Sequence, residues 1–420
     1  MNGPPDLALK SFTKCQINWQ VYVIYDIRRT SETLQKGRRK LSRRLKPPGR
    51  SLKNEFPLRR KGIMPIIPKN QEVEKEKIMR VAMYYNNKDI RLEEMPKPEI
   101  GSDEVLVQIE ASGICGSDVI EWYRIHKAPL VLGHEIAGQI IEVGSVVKKY
   151  KAGDRVAASH HVPCNTCYYC LSGHSTVCDT LRSTNFYPGG FAEFVRLPAI
   201  NVDRGVYLLP EEMSYEAATF IEPLACVLRS QRISGLTPGQ TVLVLGSGIS
   251  GLLHIQLARA LGAGKIIASD VMDSRLKAAR ELGADETILA PDLTPDRLRA
   301  INRGLLADQV IISTGAKEAQ AQALSLVERG GTVLFFAPTD QGVTVPISIN
   351  ELFFRNDITL TTSYAGSPAD HLRALQLIQA GALDTERMIT HRLPLAETAR
   401  GFQLVAQAKD SIKVIIETQR

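Results

Sequence analysis

The segment VLVLGSGISG, residues 242–251, limits the possible folds of this chain more than any other stretch. Its apolar run, Val242 to Leu245, reads as a strand buried on both faces, as in a parallel sheet. Gly246, Gly248 and Gly251 then give G-x-G-x-x-G, and Ile249 and Ser250 open a helix whose apolar face runs on through Leu252, Ile255, Leu257 and Leu261. Such glycines permit a tight turn, close approach of a pyrophosphate and close helix–strand packing. The helix N-terminus adds free N–H groups and a partial positive charge. A second strand, residues 265–269, ends at Asp270, 19 residues after Gly251. An acid there hydrogen-bonds the adenosine ribose hydroxyls and repels a 2′-phosphate, so the expected cofactor is NAD(H). Arg275 stands nearby and would welcome a 2′-phosphate, which keeps NADP(H) open. Strand signals at 308–314, 330–338 and 357–366 complete an α/β, doubly wound parallel sheet. Thr314, closing the first of these, joins the glycine turn, Asp270 and Arg275 as a candidate cofactor contact.

The cysteines carry a second constraint. Cys164, Cys167, Cys170 and Cys178 form the run C-x2-C-x2-C-x7-C. Two-residue gaps let a tight turn aim successive sulfurs at one point, and four thiolates suit a tetrahedral structural zinc. Disulfides are the weaker reading, because nothing in the sequence suggests secretion. Upstream, GICGSD (113–118) and GHEIAG (133–138) supply Cys115, His134 and Glu135, and IEPLA (221–225) supplies Glu222. A soft ligand, an imidazole and a carboxylate, with glycines pinning the loops, are the parts of a catalytic zinc site with an open position. Cys226, one turn after Glu222, reads as core, and Cys15 receives no role.

The charge is unevenly spread. The chain carries a net +7, but residues 1–78 hold 19 Lys and Arg against 7 Asp and Glu, which leaves the remainder acidic. A nucleic-acid partner argued from overall charge would therefore rest on that segment alone, and none is expected for the rest. Prolines at 47, 48, 57, 65 and 68 break any helix there. The segment is expected to be a basic extension, disordered or preceding a true start at Met79, where alternating strand patterns begin. No run approaches the ~18 to 20 apolar residues of a membrane span, and the first residues lack a secretory pattern, so a cytoplasmic location is expected.

Together these motifs resemble the zinc-containing medium-chain dehydrogenase/reductase family, within it the sorbitol and threonine dehydrogenase branch. The signature G-H-E-x2-G-x5-G-x2-V is met by Gly133, His134, Glu135, Gly138, Gly144 and Val147. GDRV (153–156), the four-cysteine run, IEPL and the glycine fingerprint follow in the family's order over residues 79–420. The resemblance implies a GroES-like β-barrel catalytic domain over 79–222, completed by 366–420. A Rossmann coenzyme domain over 223–365 is inserted between them. It also implies two zinc ions per chain and a homodimer or homotetramer. The reaction it implies is hydride transfer between an alcohol or ketone substrate and NAD(H).

Carried over residue by residue, Cys115, His134 and a glutamate would hold the catalytic metal, with Glu135 favoured over Glu222. Ser117 matches the hydroxyl that begins the family's proton relay; its bland alternative is a hydrogen bond within its own loop. The relay histidine of relatives falls at Ile120, so proton exit needs another group. His161, three residues before the first structural cysteine as in threonine dehydrogenases, is the candidate, against a packed surface histidine. The polyol-binding Arg-Tyr pair of the branch is Ser363-Tyr364 here, and Glu121 replaces a pocket aromatic, which puts sorbitol itself in doubt. Secondary alcohols, diols, amino alcohols and sugar derivatives stay open, with Arg124 or Lys127 as possible anion contacts. The competing classes are an NADP(H)-preferring reductase and a zinc-stabilised binding protein without activity.

Overall fold

The structure is a computed structural model and describes residues 78–420. The expectations for the basic extension fall on residues before Ile78 and lie outside the described residues.

The alternating pattern from residue 79 becomes β1 (Ile78–Asn86), β2 (Asp89–Pro96) and β3 (Val105–Gly113). Then follow β4 (Leu130–Val131), β5 (Glu135–Val143), β6 (Arg155–Ala158), β7 (Phe194–Leu197) and β8 (Val206–Leu208). The second half contributes β9 (Thr241–Leu245), β10 (Lys265–Asp270), β11 (Glu286–Leu289), β12 (Ala307–Ile312), β13 (Val327–Phe335) and β14 (Thr359–Thr362). Last come β15 (Ile389–Pro394) and β16 (Lys413–Glu417).

Two sheets make the first half. One has the order β2-β1-β4, and the other β15-β16-β3-β5-β6-β8 with β7 also on β3. Apolar residues alternate inward: Val105, Val107 and Ile109 of β3 pack with Ile136 and Ile140 of β5 and Val156 of β6. The chain's last strands return to this sheet, and β16 pairs antiparallel with β3 through Ile415 opposite Gly113. Gly113 also stands opposite Glu135 of β5. One glycine thus sits between the start of β5 and the start of β16, and that neighbourhood becomes the site described below.

The second half is a six-stranded parallel sheet of order β11-β10-β9-β12-β13-β14. The chain runs outward from β9 to β11, then crosses to β12 on the other side. The switch point lies between β9 and β12, where open α/β sheets bind ligands beyond the strands' carboxyl ends. Val242 to Leu245 are buried on both faces, which explains why β9 is apolar throughout rather than alternating. Helix α1 (Ile221–Ile233) leads from the first half to this sheet, burying Leu224, Ala225, Val227 and Leu228. Helix α2 (Ile249–Ala260) follows the glycine turn, and helix α3 (Pro368–Gln379) packs on α1. Each fully buried leucine contributes roughly 1.5–3 kcal/mol relative to exposure. Among the described residues no helix is long and apolar enough to cross a membrane.

Candidate active site

Cys115 lies just beyond β3, at the head of the short turn Gly116–Val119. Its backbone N–H donates to Asp118 Oδ2 at 3.1 Å, and its Sγ accepts from the Ser117 N–H at 3.4 Å. This reciprocal cap fixes where the sulfur points. His134 immediately precedes β5 and Glu135 opens it, and one ligand atom from each of Cys115, His134 and Glu135 falls within 4.8 Å of the others. His134 Nδ1 lies 3.3 Å from Asp118 Oδ1, which leaves Nε2 for a metal. Asp118 is fully buried. Burial opposes the charged imidazolium, but the Asp118 carboxylate and the Cys115 sulfur outweigh it and hold His134 well above its ordinary value.

Glu135 has a partner that sequence reasoning missed. Lys413, first residue of β16, places its Nζ on Glu135 Oε2, and both side chains are 1% exposed. The signal was a lone lysine in the otherwise apolar run KVII. A Cβ on Gly113 would fall on both charged groups, so the glycine makes room for the pair. Glu222 stands outside the close three-residue group and instead accepts from Cys226 Sγ at 3.7 Å. Burial, with Glu135 nearby, pushes Glu222 up to about 7 against the pull of His134. Cys226 departs from its expected core role: it is half-buried and faces Glu222, because positions 222 and 226 share one side of α1.

Ser117 Oγ accepts from Arg124 Nη2 at 3.0 Å, and Arg124 Nε donates to the Ser117 carbonyl at 3.1 Å. The hydroxyl proton stays available for donation. His160 lies between His134 and His161, with ring centroids 4.8 and 3.8 Å away, and its buried Nδ1 has no partner. His160, rather than His161, is the ring that stands against His134. Burial, then the positive charges of His134, Arg124 and Lys127, drives His161 down to about 4, so it is neutral at physiological pH. Across the cleft, the Tyr364 ring stands 6.4 Å from His161.

The four cysteines of the lobe converge as their spacing requires. Sγ–Sγ distances are 3.9 Å for Cys164–Cys170, 3.6 Å for Cys167–Cys170 and 3.6 Å for Cys164–Cys178. Four sulfurs placed tetrahedrally about 2.3 Å from a zinc would lie about 3.8 Å apart, so the donor set fits that ion. A disulfide would need sulfurs about 2 Å apart.

At the switch point, Gly246 follows β9, and a Cβ on it would press on Thr314 beyond β12. A Cβ on Gly251 would strike the Gly246 carbonyl, so this close approach admits only glycine. Ile249 and Ser250 form the first turn of α2. Asp270 Oδ2 accepts from the Ser247 N–H at 2.7 Å, and Oδ1 from the Met272 N–H at 3.0 Å. The carboxylate is thereby locked under the glycine turn. Arg275 lies 3.8 Å from Asp270 and donates to the Ala408 carbonyl at 2.5 Å.

Comparison with known proteins agrees with this architecture. Residues 101–210 match the alcohol dehydrogenase GroES-like domain, and residues 250–380 the zinc-binding dehydrogenase domain. The chain is 32% identical over 357 residues to sorbitol dehydrogenase of Bacillus subtilis, covering 81% of this chain and 98% of that one. It is 32% identical to L-threonine 3-dehydrogenase of Bacillus licheniformis over 331 residues, 77% of this chain and 94% of that one. A zinc-binding dehydrogenase from Sinorhizobium meliloti, solved bound to NADP, superposes with a TM-score of 0.73 at 31% identity, over 81% of this chain and 99% of that one. With its GroES-like half, its parallel coenzyme sheet and its two clusters of side chains that could hold a metal, the chain belongs to the zinc-containing alcohol dehydrogenase family.

Proposed function

We propose that this protein transfers a hydride between NAD(H) and a secondary alcohol, polyol, diol or amino alcohol, with one catalytic and one structural zinc per chain. The observation that carries the reading is the convergence of Cys115, His134 and Glu135 at the head of β5, with α1 running from there to the parallel sheet. When bound, zinc polarises the alcohol oxygen as a Lewis acid, and the nicotinamide accepts the hydride. The chain's own residues do the rest. Asp118 holds the His134 ring with Nε2 free. Lys413 holds Glu135 in place and balances its charge. Ser117 receives the substrate proton at Oγ, steadied by Arg124. His161, neutral at physiological pH, is the next acceptor on the way out, since position 120 is isoleucine. Cys164, Cys167, Cys170 and Cys178 hold the structural ion.

We favour NAD(H) over NADP(H) because Asp270, at the end of β10, matches the acid that would bind the ribose hydroxyls, and Arg275 is tied to Asp270 and the Ala408 carbonyl. The test is a panel of polyols, diols and threonine with each cofactor, followed at 340 nm. Reduction of NAD with one substrate class is expected. No reduction of either cofactor by any alcohol would overturn the reading in favour of a zinc-stabilised binding protein.

A further inference from the structure

Helix α1 carries a cation that none of the roles above uses. Arg229 is 7% exposed, yet it makes one side-chain hydrogen bond, from Nη1 to Ser363 Oγ at 2.8 Å. Among the described residues no carboxylate lies within ion-pair distance of it. The acid that could serve, Asp370, is held by Arg232 at 3.2 Å and by the N-terminal cap of α3 through Ser367. A guanidinium has five donors in a planar fork suited to a carboxylate or phosphate. Asp370 acts on it only through space, and no nitrogen of the fork is both buried and unpartnered, so its remaining donors face accessible space. Burial is also the main force lowering the Arg229 pKa.

Its position gives the group a use. Glu222, Cys226 and Arg229 stand at i, i+4 and i+7 on α1 and share one helix face. At 1.5 Å per residue Arg229 lies about 10 Å along the axis from Glu222, a distance its own long side chain partly spans. Its partner Ser363 follows β14 at the carboxyl end of the parallel sheet, and the adjacent Tyr364 faces His161 of the other half. Resting on the dehydrogenase reading above, we propose that Arg229, oriented by Ser363, binds an anionic group of the substrate, so that this site acts on hydroxy-acids or phosphorylated polyols in preference to neutral alcohols.

The experiment compares pairs that differ only in the anionic group, at saturating NAD: 2,3-butanediol against 2,3-dihydroxybutyrate, and sorbitol against sorbitol 6-phosphate. The first pair reads a carboxylate and the second a phosphate. At least one anionic member should have a kcat/KM tenfold or more above its neutral counterpart, carried by KM. Arg229→Gln should bring that ratio toward one, while Arg229→Lys keeps part of it and Ser363→Ala reduces it. A binding arm, calorimetry of the same anions on the NADH-saturated wild type and R229Q proteins, should show affinity falling tenfold or more in the variant. Neutral alcohols oxidised with no anionic preference, or a preference intact in R229Q, would overturn the inference and leave the dehydrogenase reading standing. Anion binding that depends on Arg229, without oxidation of any alcohol, would do the reverse.

Discussion

Replacing Lys413 by methionine removes the cation of the buried pair and strands the Glu135 carboxylate. Both side chains are 1% exposed, so solvent screening does not soften the loss as it does for an exposed pair such as Arg91–Asp89, whose side chains are 59% and 32% exposed. Breaking one partner of a buried pair costs about 3–5 kcal/mol. Urea unfolding of the chelator-treated wild type, K413M and the E135Q/K413M double variant measures this. K413M should lose about 3–5 kcal/mol at pH 7, and the double variant, which removes the stranded charge as well, should recover part of the loss. A K413M loss below about 1 kcal/mol would refute the reasoning.

Other consequences are equally direct. Asp118→Asn removes the carboxylate that fixes the His134 ring and should weaken metal binding at that site by about 10–100-fold, read by chelator competition. His254, fully buried on α2 with Nδ1 accepting from Gln231 at 3.1 Å, is lowered by burial to about 3. The unfolded chain binds that proton first as pH falls, so this residue's stabilisation is complete above about pH 6.5 and declines by about 1.4 kcal/mol per unit toward pH 3. The difference in acid slope between wild type and H254Q should show it, and parallel slopes would count against it. Asp270→Ser should raise the NADP-to-NAD ratio of kcat/KM tenfold or more by freeing Arg275 and removing the repulsion of a 2′-phosphate. An unchanged ratio would mean that Asp270 does not select the cofactor.

Much of this site was legible in the sequence because short spacings carry the geometry. C-x2-C-x2-C fixes where sulfurs point, and the glycine turn after an apolar strand fixes a switch point and its helix. What stayed hidden came from long-range pairing. Lys413 meets Glu135 only because β16 and β5 flank β3, a neighbourhood assembled from strands some 280 residues apart in the chain. Arg229 is one polar residue among several on its helix, and only its contact with Ser363, 134 residues away, sets it apart. Cys226 was read as core because a lone cysteine usually is; its helix face, shared with Glu222, decided otherwise. The family resemblance named the chemistry, and the substitutions at Ile120, Glu121 and Ser363 were visible in the sequence; the Arg229 contact to Ser363 was not.

The central claim is that alcohol oxidation occurs at the metal held by Cys115, His134 and Glu135. Metal content and NAD reduction, measured on the same preparations of wild type and Cys115→Ser, test it most directly. The account predicts two zinc ions and turnover for the wild type, and one zinc with loss of turnover by at least a thousandfold for the variant. A C115S protein that keeps both its second metal and its rate would contradict it.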